Sequence, residues 1–499
     1  MMTCVSFWKE KILFCDGWFL YLDGKGNHSV ISQQCARQLE LKYQNYQASM
    51  DMGRGGLPKE VAYPARGFRC VDGKYVYTDY DVDKLIGTGS VRPVEGVMMI
   101  PEEIMGIRIN GIARRAFENE TGLVQVILPD GISKIDESAF EGCTNLREIT
   151  NLSEDVHIGA DAFKNTALFS GQRIEYLGHA LIRVEPSFSG ILKIEEGTTS
   201  IADCALQGCA KLEEVLFPSD LRIIGRAAFE GCVKLKRIRL PQSLQKIEAS
   251  AFQDCEKLTE LVLPQKMDTI GERAFAGCRA LKRVELPDGI REMKRALFEG
   301  CGRLNEVHIP DSVRRIYPKA FEGTGLFAHY LESEDEELYL DQWLIHYKSF
   351  AGKILSVKEG TIGIADLEFL TAHEVSEVHF PDSLQYIGAD TFRNAALRRI
   401  DLPEKLLYIG QSAFRGTKIK EILIPASVDS VEQWAFQSCE ELEKITVTGS
   451  KTNIVWPAVS GRRDKEPILI IAPVHSPAAE YCEEYGAQYH LSFQPLRQS

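Results

Sequence analysis

Cysteine is the first residue type in this 499-residue sequence whose spacing could carry chemistry, since thiolates bind metals, attack electrophiles and pair into disulfides. Seven of the 13 cysteines occupy the same position of a recurring segment: Cys143, Cys209, Cys232, Cys255, Cys278, Cys301 and Cys439. The position requires only a small side chain, because other copies of the segment carry different residues there: Thr166, Thr324, Ala395 and Thr417. A linear ladder of cysteines also cannot form the tetrahedral shell that zinc needs. We therefore predict buried, reduced thiols in preference to a metal or redox site.

Other residue types that could support catalysis show no typical spacing. The 10 histidines include no pair at metalloprotease spacing, and the sequence contains neither a phosphate-binding glycine loop nor a G-x-S-x-G elbow. His308 and His379 each stand between two apolar residues of a predicted strand, so we interpret them as surface side chains. An enzyme would need a polar pocket within residues 1–95, which no motif supports. We predict a protein that is not an enzyme and has no cofactor.

Composition limits the classes of partner. The formal net charge of -13 and the pI of about 5.4 argue against nucleic acid or an anionic membrane surface as the usual partner. No run of 18 apolar residues occurs, so no membrane span is predicted. Lys9, Glu10, Lys11 and Asp16 interrupt the stretch that would have to be apolar in a signal peptide. A cytoplasmic location is the expectation from the sequence.

A tandem repeat positions these residues. A phenylalanine recurs in three groups at steps of 23 residues, which shorten to 22 in the last group: Phe117, Phe140 and Phe163, then Phe229, Phe252, Phe275, Phe298 and Phe321, then Phe392, Phe414 and Phe436. Leu206 and Phe369 are degenerate copies, each 23 residues before the next phenylalanine. Within one rung, the alternation of Ile238 and Leu240 predicts a short strand with one buried face, which Pro241 ends. Because a unit of about 23 residues cannot bury its own apolar side, the rungs must stack on one another.

The rung pattern L-x-x-I-x-L-P-x-x-L-x-x-I-x-x-x-A-F-x-G-C resembles the BspA-like (treponemal-type) leucine-rich repeats of bacterial proteins, over about 350 of the 499 residues. The resemblance implies a curved solenoid with a parallel sheet on one face. It also implies adhesion or protein binding, often at the cell surface. We predict an α/β solenoid over residues 96–450, a leucine-rich-repeat array of about 13 rungs of 22–23 residues.

Two inserts interrupt the array near residues 168–200 and 326–366. A shift of 163 residues aligns them, pairing Tyr176 with Tyr339, so a block of several rungs has been duplicated. Each insert is predicted to form a β-hairpin with Gly190 or Gly352 near its turn. Insertions of this kind often lie on a binding face of a repeat protein.

The two ends of the chain depart from the rung pattern. Residues 1–95 contain aromatic-rich strand patterns and are predicted to form a small mixed N-terminal module or cap. Residues 451–499 are predicted to form a C-terminal cap with a short helix over 476–486, because terminal rungs need a polar cover. The acidic run at 332–337 is predicted to be a solvated loop.

The strand positions between the buried leucines form the most informative surface. Parallel stacking places these positions side by side, so opposite charges on adjacent rungs can pair. The surface is either a self-neutralising solvated face or the footprint of a partner. The candidate partner-binding residues are Lys236, Arg237, Arg239, Lys282, Arg283, His308, Arg398 and Arg399.

We predict a non-enzymatic scaffold for protein–protein interactions. Its partner is a protein of unknown identity, with a glycan as the other candidate, and nucleic acid is not expected. The alternative is a cell-surface adhesin that binds host or matrix proteins or glycans. A third alternative is an enzyme with an attached repeat domain.

Overall fold

The computed structural model describes six strands between residues 3 and 81 and residues 96–496, with gaps at 101, 105–106, 170, 266, 268, 349–353, 368–373, 456 and 460–465. The degenerate rung residue Phe369 and the predicted turn residue Gly352 lie outside the described residues. The chain forms two compact units. We term them unit 1 (residues 1–232 and 246–251) and unit 2 (residues 233–245 and 252–499).

Most rungs contain two β-strands of unequal length connected by tight turns, whereas the rung between Phe392 and Phe414 forms only the short strand Tyr408–Ile409. In the rung of Phe275, strand Glu260–Val262 is followed by the two-residue strand Thr269–Ile270. Leu261 and Ile270 are buried while their strand neighbours are exposed or half-buried, as period-two alternation requires. The repeat makes about 16 turns. This agrees roughly with the predicted array of about 13 rungs.

The turn after each phenylalanine explains the glycine of the rung motif. Gly231 and Gly277 have φ angles of 73° and 72°. In this left-handed conformation a Cβ atom is unfavourable, so glycine is preferred. Where glycine is replaced, Asp254 and Asn394 adopt φ of 57° and 60°, and these short polar residues tolerate that conformation.

In unit 1 the strands pair in parallel from rung to rung. The longer strands are Val97–Met99, Gln125–Ile127, Glu148–Thr150, Ser189–Lys193 and Lys211–Leu216. The short strands are Gly111–Ile112, Lys134–Ile135, His157–Ile158, Ser200–Ile201, Ile223–Ile224 and Lys246–Ile247. Strands Glu103–Ile104 and Ile107–Arg108 form a separate antiparallel pair.

The N-terminal strands extend the short-strand sheet of unit 1. These strands are Thr3–Phe7, Glu10–Cys15, Trp18–Leu22, His28–Ile31, Arg66–Val71 and Lys74–Asp81. They pair antiparallel with one another, and His28–Ile31 pairs in parallel with Gly111–Ile112. The backbone of the first short strand is therefore paired on this edge, so it cannot form a sheet with another protein chain there.

In unit 2 the rungs also pair in parallel. The longer strands are Arg237–Arg239, Glu260–Val262, Arg283–Glu285, Glu306–His308, Ile354–Ser356, Glu377–His379, Glu421–Ile424, Lys444–Val447, Ile468–Ala472 and Leu491–Pro495. The short strands are Thr269–Ile270, Glu292–Met293, Arg315–Ile316, Gly363–Ile364, Tyr386–Ile387, Tyr408–Ile409, Ser430–Val431 and Asn453–Ile454.

The core of each unit is a column of stacked phenylalanine rings. In unit 2 the ring centroids of Phe252 and Phe275 are 5.6 Å apart and those of Phe275 and Phe298 are 5.9 Å apart, with nearly parallel planes. In unit 1 the same stacking joins Phe117 to Phe140 at 5.2 Å. The prediction that the rung phenylalanines are core residues is confirmed, because the described ones are all buried.

Both inserts form β-hairpins, as predicted, but the predicted position of the turn was wrong. In unit 1 strand Ile174–Leu177 pairs antiparallel with Ala180–Val184, so the turn lies at Gly178. Gly190 instead lies within strand Ser189–Lys193, at an irregularity in its parallel pairing. The φ of Gly190 is 89°, which favours glycine at this irregularity in the strand. The prediction therefore mistook a strand glycine for a turn glycine.

The hairpin of unit 2 joins strand Glu337–Leu340 to Trp343–Tyr347. Helix Gly325–Glu332 precedes it, and the Thr324 hydroxyl accepts a hydrogen bond from the Phe327 amide at its N-terminus. The acidic run predicted to be a loop is divided, since Glu332 ends this helix and Glu337 begins the strand.

A buried aspartate lies after each hairpin, where the regular array resumes. In unit 2, Asp366 Oδ1 accepts a hydrogen bond from the Ala389 amide at 2.8 Å, and Oδ2 accepts from Arg315 Nη2 at 2.7 Å. In unit 1, Asp203 accepts from the Arg226 amide at 2.7 Å and lies 2.8 Å from His157 Nε2. The duplicated block therefore repeats the junction as well as the hairpin.

The C-terminal helix predicted over 476–486 is present and longer, spanning Pro477–Tyr489. The Ser476 hydroxyl caps its N-terminus by accepting from the Ala479 amide at 3.3 Å. Neither helix in the described part of the chain has the length and apolar content needed to span a bilayer.

Candidate partner-binding surface

The outward positions of the longer strands in unit 2 form the candidate surface. Residues at the first position of neighbouring strands lie in register, as Arg237 does with Glu260 and Arg283 does with Glu306. The eight candidate side chains predicted from the sequence are all exposed. We term this surface the long-strand face.

Opposite charges on adjacent rungs pair across the long-strand face, as the sequence suggested. Arg237 Nε lies 3.9 Å from Glu260 Oε2, and Arg283 Nε lies 3.9 Å from Glu306 Oε2. Arg283 also contacts Glu285 on its own strand. Exposed pairs at these distances contribute about 0–1 kcal/mol each. They lower the net charge of the surface without fixing its side chains.

Three further candidate residues, His308, Arg398 and Arg399, each contact an acidic side chain. Arg398 and Arg399, which were predicted to be strand positions, lie in a rung, described throughout, in which the longer strand does not form. Arg398 Nη1 lies 3.3 Å from Glu441 Oε2, and Arg399 contacts Asp401 at 3.3 Å. His308 Nδ1 lies 3.2 Å from Asp341 Oδ2 in the turn of the second hairpin. Asp341 Oδ2 also accepts a hydrogen bond from the Ile309 amide at 2.7 Å. The hairpin turn is thus attached to the end of strand Glu306–His308.

The remaining candidates, Lys236, Arg239 and Lys282, stand at or just before the strands. The Lys236 carbonyl accepts a hydrogen bond from the Thr259 amide at 3.0 Å, and the Lys282 carbonyl accepts from the Asn305 amide at 3.1 Å. Arg239 lies in register with Val262. Arg239 therefore shares the outward side of its strand with Arg237, whereas Lys236 and Lys282 are exposed residues that each precede a strand by one position.

Sequence reasoning overlooked the apolar side chains on the same face. Val262 and Leu423 are 53% and 51% exposed, and Ile354 is 55% exposed. The sequence signal was available, since an apolar residue at the outward position of an alternating strand has no core to fill. Exposed apolar side chains among charged ones are a frequent composition of protein interfaces.

The recurring cysteines point into the rungs and hydrogen-bond the backbone. Cys301 Sγ donates to the Phe275 carbonyl at 3.1 Å, and Cys143 Sγ donates to the Phe117 carbonyl at 3.0 Å. At the equivalent position the Thr417 hydroxyl donates to the Phe414 carbonyl at 2.9 Å. The position thus accepts a small side chain, often one that donates a hydrogen bond, which explains why threonine replaces cysteine.

All nine cysteines with described side chains are free thiols, and burial raises the pKa of Cys143 and Cys301 to about 12. No three His, Cys, Asp or Glu side chains converge into a metal site within the described ranges. The arrangement offers these thiols a structural role.

We expect Cys278 and Cys301 to react slowly with maleimide in the native protein, because thiolates are the reactive form and burial disfavours them. Mass mapping of labelled peptides measures this site by site, with the same protein in denaturant as the control. Labelling of the two cysteines at equal rates in native and denatured protein would contradict the prediction.

Comparison with known proteins agrees with the repeat. The sequence profile of the BspA type leucine rich repeat region, in six copies, matches residues 104–175, 199–326 and 361–462. No curated protein matches the sequence at a significant level.

Solved structures of several bacterial leucine-rich repeat proteins are similar over much of their length. A leucine-rich repeat protein from Bacteroides ovatus is 21% identical, covers 80% of this chain and 92% of its own, and has a TM-score of 0.29. A leucine rich cell surface protein from Faecalibacterium prausnitzii is 16% identical, with coverages of 89% and 96% and a TM-score of 0.22. The leucine rich repeat protein of T. pallidum is 25% identical, with coverages of 44% and 73% and a TM-score of 0.18.

The family assignment rests on the sequence profile, which matches more than half of the residues and stops at both inserts, and on the rung register described above. The chain therefore belongs to the BspA type leucine rich repeat family.

Proposed function

We propose that the protein is a non-enzymatic scaffold that binds a partner protein through the long-strand face of unit 2. The observation that supports this is the set of outward strand positions, which the solenoid core does not use. They carry exposed apolar side chains such as Val262 beside charged ones such as Arg237 and Arg283. Weak surface ion pairs exchange readily for pairs with a partner, since each contributes only about 0–1 kcal/mol. An acidic protein surface is the complementary partner, and the candidate residues are the eight named from the sequence.

Reversing Lys236, Arg237 and Lys282 to glutamate is expected to leave the melting temperature nearly unchanged and to weaken the complex about tenfold at low salt. Loss of exposed charge pairs explains the small stability effect, and repulsion of an acidic partner explains the loss of affinity. The measurement is the affinity of the full chain for the protein that it captures from its native cell, at low and moderate salt.

A matched control reverses the same number of charges outside the face. Lys234, Lys257 and Arg303 are exposed and lie in turns that precede the longer strands. Their triple reversal changes net charge equally and should leave the affinity within about twofold of wild type. Equal affinities for wild type and the strand-face variant would remove these three cations from the footprint.

A cytoplasmic scaffold would bind its partner inside the cell, whereas an adhesin would bind its partner at the cell surface. Surface proteolysis of intact cells separates them, because only a surface protein is cleaved before the cells are lysed.

A further inference from the structure

A groove with a volume of about 980 Å³ lies along the short strands of unit 2. Its lining comes from rungs on both sides of the second insert. The lining includes Arg291, Arg314, Arg315, Tyr386, Tyr408, Asp429 and Glu432. We term it the Arg-Tyr groove. The short strands belong to different sheets from the longer strands, so this surface is distinct from the long-strand face.

The aromatic centre of the groove is fixed by contacts beneath it. Tyr386 is only 9% exposed and forms the floor of the groove, where it stacks on the buried ring of Trp343 with centroids 5.8 Å apart and planes 9° apart. The Arg315 guanidinium lies 5.9 Å from the Tyr408 ring and is held by two hydrogen bonds to Asp366. Rigid aromatic side chains of this kind lose little conformational entropy when a ligand packs on them.

Two arginines in the groove have no acidic partner among the described residues. Arg291 and Arg314 are exposed and lie on adjacent rungs, where the Arg314 amide donates to the Arg291 carbonyl at 2.8 Å. Neighbouring rungs are about 4.8 Å apart, so the two guanidinium groups can converge on one ligand. Arginine binds carboxylates through a pair of parallel hydrogen bonds, and no carboxylate of the described residues forms an ion pair with either guanidinium.

The charge of the groove changes along its length. Arg291 and Arg314 belong to the rungs before the insert, whereas Asp429 and Glu432 belong to the last rung that lines the groove. A ligand with uniform negative charge, such as nucleic acid or a sulfated glycan, would meet repulsion at that acidic end. A peptide segment can place an acidic side chain at one end and a basic or neutral one at the other.

Folding of the rungs does not dictate these residue types. The Asp203 amide donates to the Ile158 carbonyl, and the Asp366 amide donates to the Ile316 carbonyl, so Ile158 and Ile316 are equivalent. This equivalence aligns Ser133 with Arg291 and Val156 with Arg314. The duplicated block likewise places Ile223 and Lys246 at the positions of Tyr386 and Tyr408. The first copy forms the same short strands without the arginines and tyrosines. The short strands therefore do not require Arg291, Arg314 or Tyr408, whereas Tyr386 contributes to packing through its contact with Trp343.

We propose that the Arg-Tyr groove binds a peptide segment of a partner protein through an acidic side chain at Arg291 and Arg314, with an apolar or aromatic side chain over the half-buried Tyr408. Tyrosine and arginine are the residues enriched at the energetic centres of protein interfaces. The inference rests on the proposed scaffold function and adds a second binding surface with a defined class of ligand.

The test is selection of peptides from a random library displayed on phage against the full chain. Enriched peptides should share an acidic residue followed by apolar or aromatic residues. Their affinity, measured by fluorescence anisotropy, should fall about tenfold or more in the Arg291→Glu/Arg314→Glu variant. The melting temperature should not change, since neither side chain makes an ion pair in the described structure.

Two further variants separate this inference from the proposed function. The triple reversal of Lys236, Arg237 and Lys282 should bind the enriched peptides as wild type does. The Arg291→Lys/Arg314→Lys variant keeps the charge and should recover only part of the affinity, because lysine lacks the planar fork. Enriched peptides without acidic residues, or peptides that bind both arginine variants as wild type does, would overturn the proposal. So would heparin binding more tightly than the peptides in an Arg291-dependent manner.

Discussion

Replacing Phe275 by alanine is expected to lower the free energy of unfolding by about 3 to 5 kcal/mol. The ring is completely buried and is stacked between Phe252 and Phe298 at 5.6 and 5.9 Å. Its removal loses the burial of a large apolar side chain and leaves a cavity that two neighbouring rings border. Because stability in a solenoid is a sum over neighbouring rungs, two rung interfaces are weakened at once.

Denaturant unfolding followed by circular dichroism measures the change. Phe493 provides the control, because it lies in the last strand and is 38% exposed. Its replacement by alanine should cost about 1 kcal/mol or less, since a partly exposed ring leaves no closed cavity. A loss for Phe275→Ala no larger than that for Phe493→Ala would show that the ring column does not hold the rungs together.

Replacing Asp366 by alanine is expected to cost about 3 to 5 kcal/mol, for a different reason. The carboxylate is almost completely buried and accepts hydrogen bonds from Arg315 Nε at 2.9 Å and from the Ala389 amide at 2.8 Å. Burial opposes the charged form of Arg315, yet the adjacent Asp366 raises the pKa of its guanidinium. Without the carboxylate, a partly buried cation and a backbone amide lose their partner, and each loss costs free energy.

The matched control is Asp401→Ala. Asp401 contacts Arg399 at 3.3 Å, but both side chains are more than three-quarters exposed, so its loss should change the free energy of unfolding by less than about 0.5 kcal/mol. The two variants each remove a carboxylate that contacts an arginine. They differ in burial and in the backbone hydrogen bond that Asp366 accepts. Similar losses for both would mean that the junction after the second hairpin does not depend on Asp366. The Asp366 variant should also disturb the Arg-Tyr groove, because Arg315 lies between Asp366 and Tyr408.

The two copies of the duplicated block show how one fold can carry different surfaces. Both copies keep the hairpin and the buried aspartate, because these satisfy backbone groups where the regular array is interrupted. The outward residues diverge freely, since nothing in the core depends on them. A binding function that arose in one copy would leave the folding of the other unaffected.

The periodic features of the protein were determined by its sequence. Phe275, Leu261 and Ile270 recur at fixed steps, and a short unit with one apolar side has no stable arrangement except stacking. Burial of the phenylalanines and the alternation of the strands follow from that one requirement. The free, buried thiols follow as well, because their position faces the interior in every copy.

Only the tertiary structure decided the features that join residues far apart in the chain. Gly190 gave a turn signal although the turn lies at Gly178, because glycine serves both turns and irregular strands. The Arg-Tyr groove unites Arg314 with Tyr408, and the intervening insert conceals that proximity in the sequence. Periodicity specifies which side of a rung faces inward, whereas the meeting of outward side chains depends on how successive rungs turn and where a hairpin interrupts them.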